Sequence, residues 1–417
     1  MVEGGGRGDI HRRGAKLFID LVKYALIPAI GVLSPLFVIP AITRNFGAEG
    51  WAALAIAQAI GNGTALFAGL GWSVIGPQQI ASHTFPEALG IYRLALTSRL
   101  AVIGPIGIIT GMVSWFAVQS YEGESAIIAV GVMGAALTPQ WFFIGLNRPL
   151  TILLTDGAPR LAAALGSALA IDAGAPLVVF PIATLLCVPL TLLLTALALG
   201  PGSIPRAEDW SGVVRVIREQ AVVAWGRSIS IMFTSAPVVV VGLVSPQASP
   251  LFSAADRLLR MSVMVLRSVP SRLQSWIGAQ SASGASPRAR VVRALQIQIA
   301  MGIVAGVGFT LLAPPVSSYV FSGEVGIPLL TATLSGVLVA MICVGAGLGL
   351  GLVAFQRANA ITAAIIVGAV VALVAVPLGS MIAAADGGLL GVIAAETSCE
   401  IVQAVVLYRV MREPRRR

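Results

Sequence analysis

About twelve strongly apolar stretches, each roughly 20 residues long, follow one another along this chain, joined by connectors too short to fold on their own. A stretch of that length crosses a bilayer as a helix, because hydrocarbon forces every backbone N–H and C=O to find a partner within the segment. In the first half the spans fall near Val22–Ile42, Trp51–Ile75, Leu94–Val118, Ser125–Leu146, Leu150–Ile171 and Pro176–Leu199. In the second half they fall near Val222–Val244, Leu251–Ile277, Ala294–Val316, Ile327–Phe355, Ala358–Ile382 and Leu389–Val410. Composition agrees: 57% of the 417 residues are hydrophobic and 11% charged, where a soluble domain carries about a quarter charged residues. Spans and turns consume nearly the whole length, which leaves no room for a separate soluble catalytic domain. The expectation is an all-α polytopic membrane protein that is a transporter and not an enzyme.

The net charge of +9 is unevenly placed. With the N-terminus in the cytoplasm, the connectors on that side hold Arg93, Arg148 with Arg160, Arg206, Arg215 and Arg218, Arg288, Arg290 and Arg293, and Arg357, and both basic tails join them. The opposite connectors, Tyr121–Glu124, Asp172–Ala175, Ser245–Pro250, Ser322–Gly326 and Ala383–Gly388, contain no Lys or Arg, and only Arg44 breaks the pattern. The positive-inside rule then places both termini in the cytoplasm and the chain in the cytoplasmic membrane. Arg415–Arg417 fit an anchor on anionic lipid better than a nucleic-acid contact. The basic Met1–Lys23 stretch is not a secretory signal, because the apolar run after it is too long and no small-residue cleavage site closes it. Cys187, Cys343 and Cys399 lie inside apolar stretches and read as packing residues, so neither a disulfide nor a metal site is expected, and no cofactor.

The longest polar connector falls almost at the midpoint and divides the chain into a basic tail (1–21), a six-helix lobe (22–199), an amphipathic linker (200–221), a second six-helix lobe (222–410) and a basic tail (411–417). In the linker, Trp210, Val213, Val214 and Ile217 recur at helical spacing opposite Arg215, Arg218 and Glu219, which predicts a short helix lying flat in the interface. A weak echo between Gly50–Ala55 and Pro250–Ala255 is consistent with duplication.

Charges inside spans are expensive in lipid and therefore mark function. In the eighth span Arg257, Arg260 and Arg267 fall at i, i+3 and i+10 with Met264 at i+7, one helical stripe. At roughly 2.5–3.5 kcal/mol each, such arginines belong in a wet interior and not against acyl chains. Asp256 stands four residues before Arg260 and can neutralise it. Arg99 and Arg227 lie a turn or so inside the third and seventh spans and either line the same interior or snorkel to the headgroups; Arg44 ends the first span. Guanidinium groups grip phosphate with paired hydrogen bonds, so the cargo should be anionic. Glu396 and Glu400, at i and i+4 on the last span with Gln403 beyond, are either ion-coupling groups or partners of arginines elsewhere. Asn62 faces the interior, and the Gly345, Gly347, Gly349 and Gly351 series serves close helix packing or a hinge.

Four segments carry a resemblance. Leu33–Arg44 followed by Phe46–Trp51 resembles the opening of the polysaccharide-repeat flippases, the Wzx-type O-antigen and exopolysaccharide transporters. Pro139–Leu146, Phe252–Leu258 and Gly388–Glu396 fit the same family, and together they span the chain. The resemblance implies the fold of the multidrug, oligosaccharidyl-lipid and polysaccharide exporter superfamily: two six-helix lobes around a central cavity, working by alternating access. It also implies a polyprenyl-diphosphate-linked oligosaccharide as cargo, flipped to the outer leaflet for cell-surface polysaccharide synthesis, with a polysaccharide polymerase or glycosyltransferases as partners. Rival readings are a multidrug cation antiporter and a peptidoglycan-precursor flippase on the same fold. A membrane polymerase or ligase would need a large external loop with catalytic residues, which the sequence lacks.

Overall fold

The computed structural model describes residues 6–220, 235–266 and 288–412 with parts of 269–277, and side chains at 34 and from 36 onward within those ranges. The secondary structure of these residues is helical throughout. In the first half, α1 (Gly6–Ala68) is two passes joined at Gly47, whose φ of 65° reverses the chain where a Cβ would be strained. α2 (Trp72–Ala81) is short, and α3 (Phe85–Ala117) is a full pass entered through a Thr84–Glu87 capping box. The fourth pass joins α4 (Glu122–Met133), a 3₁₀ turn (Gly134–Leu137) and α5 (Gln140–Gly145). The fifth joins α6 (Pro149–Ile152), a π segment (Leu153–Gly157) and α7 (Ala158–Asp172), and α8 (Val179–Leu199) completes the half.

The second half comprises α9 (Ala236–Val244), α10 (Ser249–Leu266), α11 (Arg288–Val320), α12 (Leu329–Ala354) and α13 (Ala358–Arg412). α13 doubles back at Ala383 and Ala384, the latter at a φ of 48°, and so supplies the last two passes. Seven helical segments among the described residues are long and apolar enough to cross a membrane. With the reversals in α1 and α13, the interrupted fifth pass and the segments at α9 and α10, the order yields the twelve passes expected from hydropathy.

Two expectations need correction. The second pass ends at Ala68 and not near Ile75, because Leu70 and Gly71, at φ 51° and 74°, break the helix and Trp72 starts a new one. The linker does not present Trp210, Val213, Val214 and Ile217 as one face. The Asp209 carboxylate accepts a hydrogen bond from the Arg206 N–H at 2.7 Å and winds Ala207–Trp210 into a 3₁₀ turn, so the α-helix begins only at residue 213. Val213 and Val216 are then buried and Val214 is 73% exposed. Arg93 on α3 pins this linker through Asp209 (3.0 Å) and the Gly202 carbonyl (2.8 Å), so it docks on the first lobe. The expected seventh span lies partly, and the eighth partly, outside the described residues.

Small residues let the second lobe pack backbone to backbone. A Cβ on Gly306 would stand 2.5 Å from the Gly336 carbonyl, and one on Gly336 the same distance from the Gly306 carbonyl, where α11 crosses α12. Gly351 receives Leu407 and Val291, and Gly347 receives Leu295 and Gln298. At Gly345, Gly347 and Gly351 the glycine series is therefore a packing surface.

Contacts between the lobes gather at the face opposite the arginine-rich connectors. There Ser322 Oγ donates to the Pro40 carbonyl (3.1 Å), Trp51 lies against Phe321 with ring centroids 5.2 Å apart, and Ile56 fills the space above Gly242. One apolar cluster runs from that face to mid-depth and draws Ile39, Trp51, Ile56 and Ile60 together with Val241, Phe252, Phe309 and Phe321. At the arginine-rich face the apolar clusters are private to one half: Tyr92, Trp141 and Phe142 with the linker, and Val291, Leu348 and Leu407 with Ile277. Among the described residues, the contacts between the lobes are thus gathered at one end of the bundle.

Candidate functional site

α10 is two-sided by sequence. Phe252, Ala255, Leu258 and Leu259 are buried, while Asp256, Arg257, Arg260 and Met264 occupy the remaining surface. The helix packs on α1 as well as on its own lobe. At 1.5 Å per residue Arg257 and Arg260 lie about 12 and 16 Å from the helix start at Ser249, near the middle of a hydrocarbon layer about 30 Å thick. Arg260 Nε donates to Asp256 at 2.6 Å, which keeps that pair close to neutral. Arg257 Nε is buried and meets no hydrogen-bond partner among the described residues, nor does one terminal nitrogen of Arg99. A buried charged donor left so is costly, and an acceptor that reaches it, from cargo or water, offsets that cost.

The other candidate arginines do not gather on this stripe. Arg44 makes a two-pronged contact with Asp172 at 2.7 and 2.9 Å, reinforced by Asn45, and ties the first pass to the fifth at an exposed site. Arg99 neither snorkels nor lines the lobe boundary. It is 1% exposed, its Nε donates to the Ala95 carbonyl (2.9 Å), one terminal nitrogen donates to Ala136 O (2.7 Å), and its guanidinium lies 5.6 Å from the Trp141 ring centroid. The carbonyls it reads are those left open where α4 gives way through the 3₁₀ turn to α5, so Arg99 caps a broken helix from the side. Arg227 and Arg267 lie outside the described residues.

A second polar group lies within the C-terminal lobe. Glu396 and Glu400 converge on the bare side of Gly345, their Oε1 atoms 3.9 and 3.4 Å from where a Cβ there would stand. Glu400 Oε1 is buried without a partner among the described residues. Gln403 follows on the same stripe, 5% exposed, with its Nε2 on Cys399 Sγ and its Oε1 unpaired. Gln298, fully buried on α11 beside Gly347, has no partner for either amide atom among the described residues. Sequence reading passed over Gln298, although a glutamine in the apolar run after Arg293 was the signal. It also passed over Gln58, which stands four residues before Asn62 on the second pass; Asn62 is exposed at mid-helix.

Twelve passes in two lobes is the fold seen in solved MATE and MurJ transporters. Three solved structures carry that statement. The Vibrio cholerae MATE transporter VcmN, solved as a point mutant, superposes with a TM-score of 0.62 at 14% identity over 95% of this chain and 98% of its own. A multidrug-resistance MATE transporter of the same superfamily in an inward-facing conformation gives 0.60 at 16% identity over 94% and 99%. The lipid II flippase MurJ in an inward closed conformation gives 0.69 at 10% identity over 94% and 87%. No family model and no curated protein matches the chain.

Proposed function

We propose that the chain is a flippase for a polyprenyl-diphosphate-linked oligosaccharide, moving it across the cytoplasmic membrane by alternating access for cell-surface polysaccharide synthesis. The observation that carries this reading is the Arg257–Arg260 stripe on α10, a helix that packs on both lobes, with a buried guanidinium N–H that meets no acceptor among the described residues. In our reading the diphosphate sits on these arginines while the polyprenyl tail stays in lipid between the lobes. Arg227 and Arg267 remain in the proposal on sequence grounds, whereas Arg44 and Arg99 leave it because protein groups hold them away from the stripe. Asp256 serves to hold Arg260. Glu396 and Glu400 are the proposed coupling carboxylates.

Glycosyltransferases that build the lipid-linked unit, and a polymerase that consumes it, are the partners this reading requires. A peptidoglycan precursor is the second reading, favoured by the superposition on the lipid II flippase. A cationic drug is disfavoured, because two of the stripe's charges are guanidinium groups.

The test is reconstitution. In proteoliposomes, a fluorescent polyprenyl-diphosphate disaccharide should become inaccessible to a membrane-impermeant quencher in a protein-dependent way, while the same glycolipid on an uncharged linkage should stay put. Movement of an organic cation with no movement of the diphosphate lipid would refute the reading. Running lipid II beside the polysaccharide unit separates the two anionic cargoes.

A further inference from the structure

Passes two to six of the first lobe are all broken or weakened in one layer. The second pass breaks at Leu70 and Gly71, at φ 51° and 74°, just before Trp72. The fourth gives way over Gly134–Leu137 and resumes after Pro139. Trp72 and Trp141 pack with ring centroids 5.5 Å apart, so these two breaks are neighbours. Gly134 lies against Val188 of α8, and the next residue, Pro189, sits inside that helix. Cys187 Sγ donates to the Pro159 carbonyl at 3.5 Å, which brings the π segment ending at Gly157 to the same depth. α3 passes through as a helix, yet it carries Gly104 and Pro105 just beyond Arg99. Proline, 3₁₀ and π turns each remove or lengthen ladder hydrogen bonds, so a helix bends at them more easily than elsewhere.

The same layer separates two packed bodies. On the arginine-rich side Trp72, Ile80, Tyr92, Trp141, Phe142 and Val216 join α2, α3, α5 and the linker in one apolar cluster. On the other side Val38, Leu54, Ile128, Ala164 and Ile171 join α1, α4 and α7 in a second, and the two clusters share no residue. Polar contacts from two adjacent residues of α3 span the breaks. Ser98 Oγ accepts from Trp72 Nε1 at 3.3 Å, and Arg99 donates to the carbonyls of Ala136 (2.7 Å) and Thr138 (3.4 Å) with its guanidinium beside Trp141. We infer that the arginine-rich end of the first lobe is a rigid cap that swings about this layer, and that Arg99 is the latch of its closed position. Close-packed cores move as units, so motion falls where packing is discontinuous and hydrogen bonds can be exchanged. The inference concerns bending within one lobe and is independent of what the transporter carries.

The experiment is double electron–electron resonance on the full chain in lipid nanodiscs, with Cys187, Cys343 and Cys399 replaced by alanine. Spin labels on Val74→Cys with Leu169→Cys measure across the layer. Val74→Cys with Val214→Cys measures within the cap, and Leu169→Cys with Phe116→Cys within the other body; all four side chains are exposed. The cross-layer pair should show two distances, a major closed one and a minor open one. Arg99→Gln should raise the open-to-closed ratio by about tenfold or more, as the loss of charged donors to two carbonyls requires. Arg99→Lys keeps a charged donor and should bring back most of the closed population. Gly104→Ala tests the hinge without touching the latch: an added methyl there meets nothing within 4 Å, and a stiffer α3 should lower the ratio by roughly fivefold. The two pairs within one body should keep a single narrow distance in every variant. One cross-layer distance that Arg99→Gln leaves unchanged, a pair within the cap that broadens as much as the cross-layer pair, no recovery in Arg99→Lys, or no fall in Gly104→Ala would each overturn the inference.

Discussion

Arg257→Gln is expected to slow diphosphate-lipid flipping in proteoliposomes by about ten- to a hundredfold, the equivalent of one charged hydrogen bond worth roughly 1.5–3 kcal/mol. Glutamine keeps the length and a donor but loses the charge and the two-pronged geometry, so the defect reports recognition and not packing. Arg257→Lys should recover part of the rate, because a point charge still attracts phosphate without matching its fork. In cells the glutamine variant should insert normally yet export little polymer. Arg260 is the less clean probe, since its removal strands Asp256, held at 2.6 Å. Arg260→Ala should still abolish export, and pairing it with Asp256→Asn separates lost recognition from an exposed carboxylate. A normal flipping rate in Arg257→Gln would mean that its unpartnered Nε has nothing to do with the cargo.

The second large effect concerns energy coupling. Glu396 and Glu400 close on one glycine from one helix face, and the buried Oε1 of Glu400 meets no donor. Two carboxylates so placed repel one another in a low dielectric, and a proton or small cation that travels with them is the coupling we propose. Glu396→Gln with Glu400→Gln should therefore abolish uphill accumulation driven by an ion gradient, while downhill movement of the labelled lipid continues at close to the wild-type rate. A loss of both modes would instead make the pair a structural element of the lobe. Full retention of uphill transport would remove them from coupling.

Much of this architecture was legible because hydropathy and charge are both written at the scale of a span. The twelve passes follow from runs of about 20 apolar residues. That Arg257 and Arg260 share one stripe of α10 was legible for the same reason, since three-residue spacing on a helix has one geometric meaning. Arg99 was not. Its depth within the third span is visible in the sequence, but its partners are carbonyls exposed by a break between α4 and α5, 37 residues away, at Ala136. Nothing local announces that. The linker misled because Trp210 obeys helical spacing with Val213 while a cap at Asp209 delays the helix by a turn. Gln298 was hidden because its meaning depends on Gly347 of another helix.

Central to the account is a guanidinium stripe that faces water between the lobes and not acyl chains, and cysteine accessibility measures this most directly. With the buried Cys187, Cys343 and Cys399 replaced by alanine, Arg260→Cys and Met264→Cys should react with a charged, membrane-impermeant thiol reagent added from the cytoplasmic side, and bound diphosphate lipid should protect them. Silence toward that reagent, with ready labelling by a bilayer-soluble one, would place the stripe in lipid and contradict the account.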